Sequence, residues 1–96
     1  MNLMSKMPIK VDQIMPEELD LEILRAAMIA ELDAVSFYEQ LAAMAENPNV
    51  KAVLLDIARE EKTHVGEFQT MLLELDEEQV NELIKGRDEV KELLER

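Results

Sequence analysis

Three side chains of metal-ligating type, Glu31, Glu61 and His64, occur among apolar residues where leucine would otherwise be expected. Glu61 and His64 are three residues apart, so in a helix they lie one turn apart on one face. A carboxylate site for two metal ions takes a Glu from each of two helices and a Glu-x-x-His pair from each of two more. This chain holds one of each, so the sequence predicts half a site that two copies complete.

Two long helices are predicted to carry these residues. Pro16, followed by two acids, indicates a helix start, because proline is tolerated in the first turn and acids favour the helix dipole. Nothing interrupts the helix before about Glu46. Asn47-Pro48-Asn49 then marks a turn, since a residue before proline resists the helical conformation. A second helix is predicted from about Pro48 to Leu75.

A shorter third helix is predicted after the second. Asp76 and Gln79 have the form of a capping box, and Gly86 predicts a kink or break. The fold expected is all-α: an antiparallel two-helix hairpin with a short C-terminal helix, occupying residues 16–96 and dimerising into a four-helix bundle. Residues 1–15 lack a sustained period and are expected to form a flexible arm.

The faces of the two long helices place the three residues among packing positions. Glu31 falls in the middle of a stripe that is roughly 80° wide at 100° per residue. That stripe holds Leu24, Met28, Val35, Tyr38 and Ala42. Glu61 and His64 fall in a similar stripe on the second helix, with Val50, Val53, Leu54, Ile57, Phe68, Met71 and Leu75.

Register places the three residues at one level of the hairpin. Glu31 lies about 16 residues before the turn, and Glu61 and His64 lie about 13 and 16 residues after it, at about 1.5 Å per residue. Burying two carboxylates and an imidazole without a partner would cost several kcal/mol, so a cation is the expected partner. Oxygen ligands with one imidazole favour iron or manganese.

Each residue also has a purely structural interpretation. Glu31 could be a buried, hydrogen-bonded acid; Glu61 could belong to a solvated charge run with its neighbours; and His64 could be a core histidine. Tyr38, about two turns from Glu31 on the same stripe, is expected either to hydrogen-bond a ligand carboxylate or to pack as a core aromatic. The shared faces and the matched register favour the metal site.

Composition limits the classes of protein to consider. The 96 residues carry no cysteine, which excludes disulfides and thiolate metal sites, and their formal net charge is −12. Such acidity disfavours binding to nucleic acid or to anionic membranes. No apolar run reaches the roughly 20 residues of a membrane span, and no signal peptide is recognisable, so a cytoplasmic location is expected.

A second apolar band on the first helix remains after one hairpin contact is made. It contains Leu21, Ile29, Leu32 and Ala43. One helix pair cannot cover both bands, so the sequence predicts that another chain does.

Two segments, residues 30–40 (AELDAVSFYEQ) and 59–64 (REEKTH), resemble the motifs of the encapsulated ferritins, which are ferritin-like proteins. The resemblance implies a ferroxidase in which two hairpins face each other. Two iron ions would then be shared per dimer and held by the Glu31, Glu61 and His64 of both chains. It further implies a decameric ring of five dimers inside an encapsulin nanocompartment, with the encapsulin shell protein as partner.

The sequence departs from the family pattern at some positions. Ala30 stands where the family usually has an acid, which leaves Asp33 as the candidate for an accessory metal site. Phe37 stands where a tryptophan is often found. The family's free members carry a C-terminal targeting extension, whereas this chain stops at Arg96. That end fits a removed tail, a domain normally joined to the shell, or a protein working unencapsulated.

The hypothesis is that two Fe(II) ions, bridged by Glu61 of both chains with Glu31 and His64 as terminal ligands, are oxidised by dioxygen. Two alternatives remain open. The hairpin could be a non-catalytic helical assembly module in which the polar layer sets register. It could also be a rubrerythrin-like di-iron or di-manganese peroxidase, although rubrerythrins usually add a cysteine-rich domain.

Overall fold

The computed structural model describes residues 15–96, and the predicted arm at residues 1–15 lies outside that range except for Met15. A 3-10 turn at Pro16–Glu18 leads into α1, Leu19–Met44. Helix α2 spans Pro48–Leu75, and α3 spans Glu77–Leu93. The all-α architecture of a two-helix hairpin with a short C-terminal helix is therefore confirmed.

The helix ends follow the capping residues in the sequence. The Asn47 side chain accepts hydrogen bonds from the backbone N–H groups of Asn49 and Val50, at 2.8 and 3.2 Å, so it caps the start of α2. Pro48 occupies the first helical position, where no N–H is needed. The Asp76 carboxylate caps α3 by accepting from the Gln79 N–H at 3.0 Å.

Two details of the predicted helices differ from the structure. Helix α1 begins after a 3-10 turn and ends at Met44, two residues before the predicted end at Glu46. Helix α3 runs through Gly86 without the predicted break. Glycine costs about 1 kcal/mol relative to alanine inside a helix, and the flanking Lys85 and Arg87 are good helix formers. That penalty did not suffice to end the helix.

The hairpin contact is built from few and mostly small side chains. Val35 and Ala42 of α1 and Ala58 and Leu72 of α2 are the buried apolar residues of the described chain. Many large apolar side chains remain exposed. On the predicted second band of α1, Ile29 and Leu32 are both exposed. A single chain therefore leaves much of its apolar surface uncovered.

Helix α3 projects sideways from the base of the hairpin. The molecule measures 46 × 45 × 19 Å, and its radius of gyration is 16.8 Å, against about 12 Å for a compact domain of this size. A 28-residue helix accounts for about 42 Å in one direction. The second long dimension therefore comes from α3.

An ion-pair junction holds the root of α3. Arg25 of α1 donates to Asp76 Oδ2 at 3.0 Å and to Glu22 Oε1 at 2.6 Å. Asp76 thus contacts α1 through one oxygen and caps α3 through the other.

In the part of the chain that the structure describes, no helix is long and apolar enough to cross a bilayer.

Candidate metal centre

Glu31 and Glu61 lie at the midpoints of the two hairpin helices. Glu31 is the thirteenth of the 26 residues of α1, and Glu61 is the fourteenth of the 28 residues of α2. Because α1 and α2 run antiparallel, their midpoints face each other. The residues that end α1 and begin α2 fix the position of the turn at residues 45–47. They therefore also fix the height along the hairpin at which these two carboxylates meet.

The three predicted ligands converge on one point. His64 Nδ1 lies 3.4 Å from Oε2 of Glu31 and 3.4 Å from Oε2 of Glu61. One ligand atom from each of the three residues lies within 4.8 Å of the other two. Among residues 15–96 this is the only group of three or more His, Cys, Asp or Glu side chains arranged closely enough to hold an ion.

The donor set and spacing fit a metal ion better than a hydrogen-bonded cluster. Both 3.4 Å contacts exceed the 2.7–3.2 Å that is usual for N–H···O hydrogen bonds. Both contacts are also shorter than the roughly 4.2 Å that can separate two atoms each about 2.1 Å from one ion. Two carboxylates and an imidazole are ligands of the kind that iron or manganese takes.

Burial shows which side of the cluster is open. The side chains of Glu31 and Glu61 are 21% and 18% exposed, whereas that of His64 is 45% exposed. The hairpin thus covers the carboxylates while the imidazole faces outward. An ion held by these three side chains would have further coordination positions open on that outward side.

The basic residues close to Glu61 in sequence pair with acids outside the cluster. Lys62, next to Glu61 in sequence, lies 3.1 Å from Glu39 Oε2 across the hairpin. Arg59 pairs instead with Asp56 on the exposed side of α2. Glu60 is exposed to solvent. Neither Lys62 nor Arg59 is thus paired with the two acids of the cluster.

Tyr38 and Asp33 do not join the cluster. Tyr38 packs edge-on against Phe37, with ring centroids 5.4 Å apart, and its hydroxyl makes no hydrogen bond to another of residues 15–96. The Asp33 Oδ2 atom is buried and has no hydrogen-bond partner within the described chain. Their roles beside a ligand and at an accessory site both remain predictions.

Two apolar cavities, which the sequence reasoning did not single out, flank the cluster. The tip cavity is about 340 Å³ and is lined by Asn49, Val50, Val53 and Leu54. The base cavity is about 200 Å³ and is lined by Asp20, Ile23, Leu24, Met71 and Leu75. The sequence indicates these cavities only through helical periodicity. Val53, His64, Met71 and Leu75 follow one another at intervals of 11, 7 and 4 residues, so they lie on one side of α2.

Comparison with known proteins relates the chain to the Rubrerythrin family and to encapsulin-associated proteins. The sequence model of the Rubrerythrin family matches residues 22–95. A "Ferritin-like-encapsulin shell fusion protein" of Pyrococcus furiosus is 64% identical over 77 residues, which is 80% of this chain and 22% of that protein. The "Encapsulin nanocompartment cargo protein EncB" of Myxococcus xanthus is 36% identical over 66 residues, or 69% of this chain and 42% of that one.

One solved structure is similar to this chain in both fold and sequence. The crystal structure of the encapsulated ferritin domain from Pyrococcus furiosus superposes with a TM-score of 0.80 and is 57% identical, covering 90% of this chain and 88% of that one. By contrast, the chain spans only about a fifth of the length of the shell fusion protein and less than half of the cargo protein.

Proposed function

The chain belongs to the Rubrerythrin family and, within it, to the encapsulated ferritins, and from that membership we propose that it is a ferroxidase. Its substrates are Fe(II) and dioxygen. The two Fe(II) ions of one centre lose one electron each, and dioxygen takes up both electrons and two protons and leaves as hydrogen peroxide. The Fe(III) product takes its oxygens from water, releases protons and leaves as oxo-hydroxide. The observation that carries the proposal is the convergence of Glu31, Glu61 and His64 within 4.8 Å at the middle of the hairpin.

The residues supply what this oxidation needs. Two carboxylates place two negative charges beside the bound ion, which favours the higher charge of Fe(III) over that of Fe(II). A carboxylate can bind one metal ion or two, and it can change between these modes. We therefore propose that Glu61 would be the ligand shared by a pair of irons, and that Glu31 and His64 would each bind one iron. The imidazole, on the open side of the cluster, adds a neutral nitrogen ligand without further charge.

We propose that the catalytic unit is a two-fold dimer holding two irons. A single hairpin offers three ligands, and the open side of His64 leaves room for those of a second chain. Because the ligands lie at the midpoints of both helices, a two-fold axis beside them lays a second, antiparallel hairpin over the full length of the first. The dimer forms the four-helix bundle that a complete carboxylate site requires.

The two cavities support this arrangement. Each lies about ten residues from the level of Glu31 and Glu61, or about 15 Å along the helix axis, in opposite directions. The two-fold axis therefore brings the tip cavity of each chain against the base cavity of its partner. The exposed Val50 and Val53 of one chain would then pack near Met71 and Leu75 of the other.

The wider setting follows from the relatives. Because the two curated relatives are an encapsulin shell fusion and an encapsulin cargo protein, we propose that this domain works inside an encapsulin nanocompartment in contact with the shell protein. The family resemblance further suggests a ring of five dimers. The ring would oxidise iron and the shell would store the mineral.

Oxidation kinetics test the activity. Fe(II) added in air should give rapid ferric absorbance with the parent protein. The Glu61→Ala and His64→Ala variants should each be slower by at least about tenfold, because each removes a ligand. Glu60→Ala, one residue away and exposed, is the matched control and should oxidise iron at the parent rate. Equal rates in all four proteins would rule out this site.

Peroxide reduction is the second candidate, because the matching family model is that of rubrerythrin. The same Fe(II)-loaded protein should then be oxidised faster by hydrogen peroxide than by dioxygen at equal concentration. A ferroxidase should show the opposite order. If neither oxidant acts and no metal binds, the hairpin is an assembly module.

A further inference from the structure

Helix α1 carries a carboxylate oxygen that the described chain leaves unsatisfied. Asp33 Oδ2 is buried and has no hydrogen-bond partner among residues 15–96. Such an atom has lost its hydration without gaining a hydrogen bond, and that loss is costly for a charged group. The burial therefore indicates a donor that is not among these residues.

The bases of the hairpin do not supply this donor. At 100° per residue Asp33 lies 160° around α1 from Val35 and 180° from Ala42, the two buried residues of α1. Its side of the helix is therefore turned away from α2 and from the bases of α2. Arg25, the only base of α1, lies two turns from Asp33 and pairs with Asp76.

The surroundings of Asp33 form an apolar face with one acid at its centre. The neighbours of Asp33 at three and four residues along α1 are Ile29, Ala30, Ser36 and Phe37, and three of these four are apolar. The Ile29 and Phe37 side chains are both exposed. This outer face of α1, formed by Ile29, Ala30, Asp33 and Phe37, fits an apolar segment that carries a base.

The leading segment of the chain, residues 1–14, has that composition. It carries Lys6 and Lys10 against a single acid, Asp12, whereas residues 15–96 carry eight bases and twenty-one acids. Seven of its fourteen residues are methionine, leucine, isoleucine or valine. The leading segment is therefore the part of the chain whose charge and polarity complement the outer face of α1.

The length of the leading segment selects one of its two lysines. Asp33 lies 14 residues after Leu19, or about 21 Å along α1, and the 3-10 turn before Leu19 adds at most about 6 Å. Lys6 is nine residues from Met15, which an extended chain spans in about 30 Å, whereas the five residues from Lys10 span about 16 Å. Lys6 can therefore come level with Asp33, whereas Lys10 stops short of it.

We propose that the leading segment lies back along the outer face of α1 and that the Lys6 ammonium group pairs with the Asp33 carboxylate. The apolar side chains beside Lys6 then cover Ile29 and Phe37. Because the ammonium group occupies the place of a cation, the leading segment and an accessory metal ion compete for Asp33. Glu31 lies 160° around α1 from Asp33, so the contact is separate from the metal centre and does not depend on the proposed ferroxidase activity.

Proteolysis of the full chain in chelator tests the contact. Trypsin cuts after Lys10 only when the leading segment leaves α1, and intact-mass spectrometry follows that cut. Asp33→Asn, which is nearly isosteric, should raise the rate of the cut by about tenfold, because the open state becomes more populated. The control is Glu46→Gln, which changes the net charge equally at an exposed position outside α1 and should be cut at the parent rate.

A double-mutant cycle shows whether Lys6 is the partner of Asp33. Lys6→Gln should also raise the rate by about tenfold, and the protein with both changes should be cut about tenfold faster rather than a hundredfold, because each change removes the same pair. The parent rate should not depend on chain concentration, since the contact lies within one chain. Circular dichroism should show the parent helix content in every variant.

Several outcomes would overturn the pairing of Lys6 with Asp33. The first is a parent rate in Asp33→Asn, and a parent rate accompanied by loss of a bound metal ion would identify that ion as the occupant. Equal acceleration in Glu46→Gln would show a general effect of charge. A hundredfold effect in the double variant would show that the two residues act separately. A parent rate that rises on dilution would place the leading segment on a second copy of the chain.

Discussion

His64 Nδ1 on α2 lies 3.4 Å from Glu31 Oε2 on α1, a separation too long for a good hydrogen bond and suited to two ligands of one ion. The residues are 33 positions apart in sequence. Only the hairpin brings them together, at the level where Glu61 adds a second carboxylate. The stability of the hairpin and its metal binding are therefore expected to be linked.

Metal should stabilise the folded protein. An ion that binds only the folded state at 100 times its Kd adds about 2.7 kcal/mol to the free energy of unfolding. Thermal unfolding followed by circular dichroism should show a higher Tm with Fe(II), under nitrogen, than with a chelator. The His64→Ala protein serves as control and should unfold at the same temperature in both. A parent Tm that does not respond to metal would contradict the site.

Replacing a ligand by leucine should stabilise the metal-free protein. Glu31 and Glu61 are two acids held together with His64 as their only neighbouring base in the cluster, on faces that are otherwise apolar. Glu61→Leu should raise the free energy of unfolding in chelator by about 1 kcal/mol or more, measured by urea titration at fixed chain concentration, and should abolish iron binding. Glu60→Leu on the exposed side should change stability by less than about 0.5 kcal/mol. A destabilised Glu61→Leu would point to a structural role for that carboxylate.

The Arg25 junction should matter more than the exposed ion pairs. The Asp76 side chain is only 14% exposed, although Arg25 itself is 42% exposed. Arg25→Ala should lower the free energy of unfolding by about 1 kcal/mol, with screening by solvent taken into account. Arg59→Ala, whose pair with Asp56 is largely exposed, should cost less than about 0.5 kcal/mol. Equal losses from the two variants would show that Arg25 does not fix the root of α3.

Gly86→Ala should stabilise the protein. Gly86 lies inside α3 with an ordinary helical backbone, and a Cβ built there meets nothing within 4 Å. Alanine should add about 0.5–1 kcal/mol to the free energy of unfolding. Gly66 in α2 is equally open and should respond in the same way. A destabilising Gly86→Ala would indicate that a break or a close contact is needed at that position.

Much of the fold could be predicted from local signals. Asn47 and Pro48 mark the turn and the start of α2, Asp76 caps α3, and helical phase placed Glu31, Glu61 and His64 on facing stripes. The break predicted at Gly86 was wrong, because the helix penalty of glycine, about 1 kcal/mol, is offset by the good helix formers on either side of it. The direction of α3 could not be predicted, since it depends on the contact between Arg25 and Asp76, which are 51 residues apart.

The candidate site was also predictable in outline, because ligand type, spacing and register are all properties of the sequence. The two cavities were not, since they depend on how side chains pack in three dimensions: residues of α2 alone line the tip cavity, and residues of α1 and α2 together line the base cavity. Asp33 shows the same limit. Its position on α1 was known, but the burial of its Oδ2 atom without a partner depends on packing.

Native mass spectrometry of the protein loaded with Fe(II) under nitrogen tests the shared site most directly. If two chains complete one centre, iron should appear only in species with an even number of chains, at two ions per pair. Glu61→Ala should remove both ions of a pair, because the same residue of each chain is expected to bridge them. Single chains that retain iron with the affinity of the assembled protein would contradict the account.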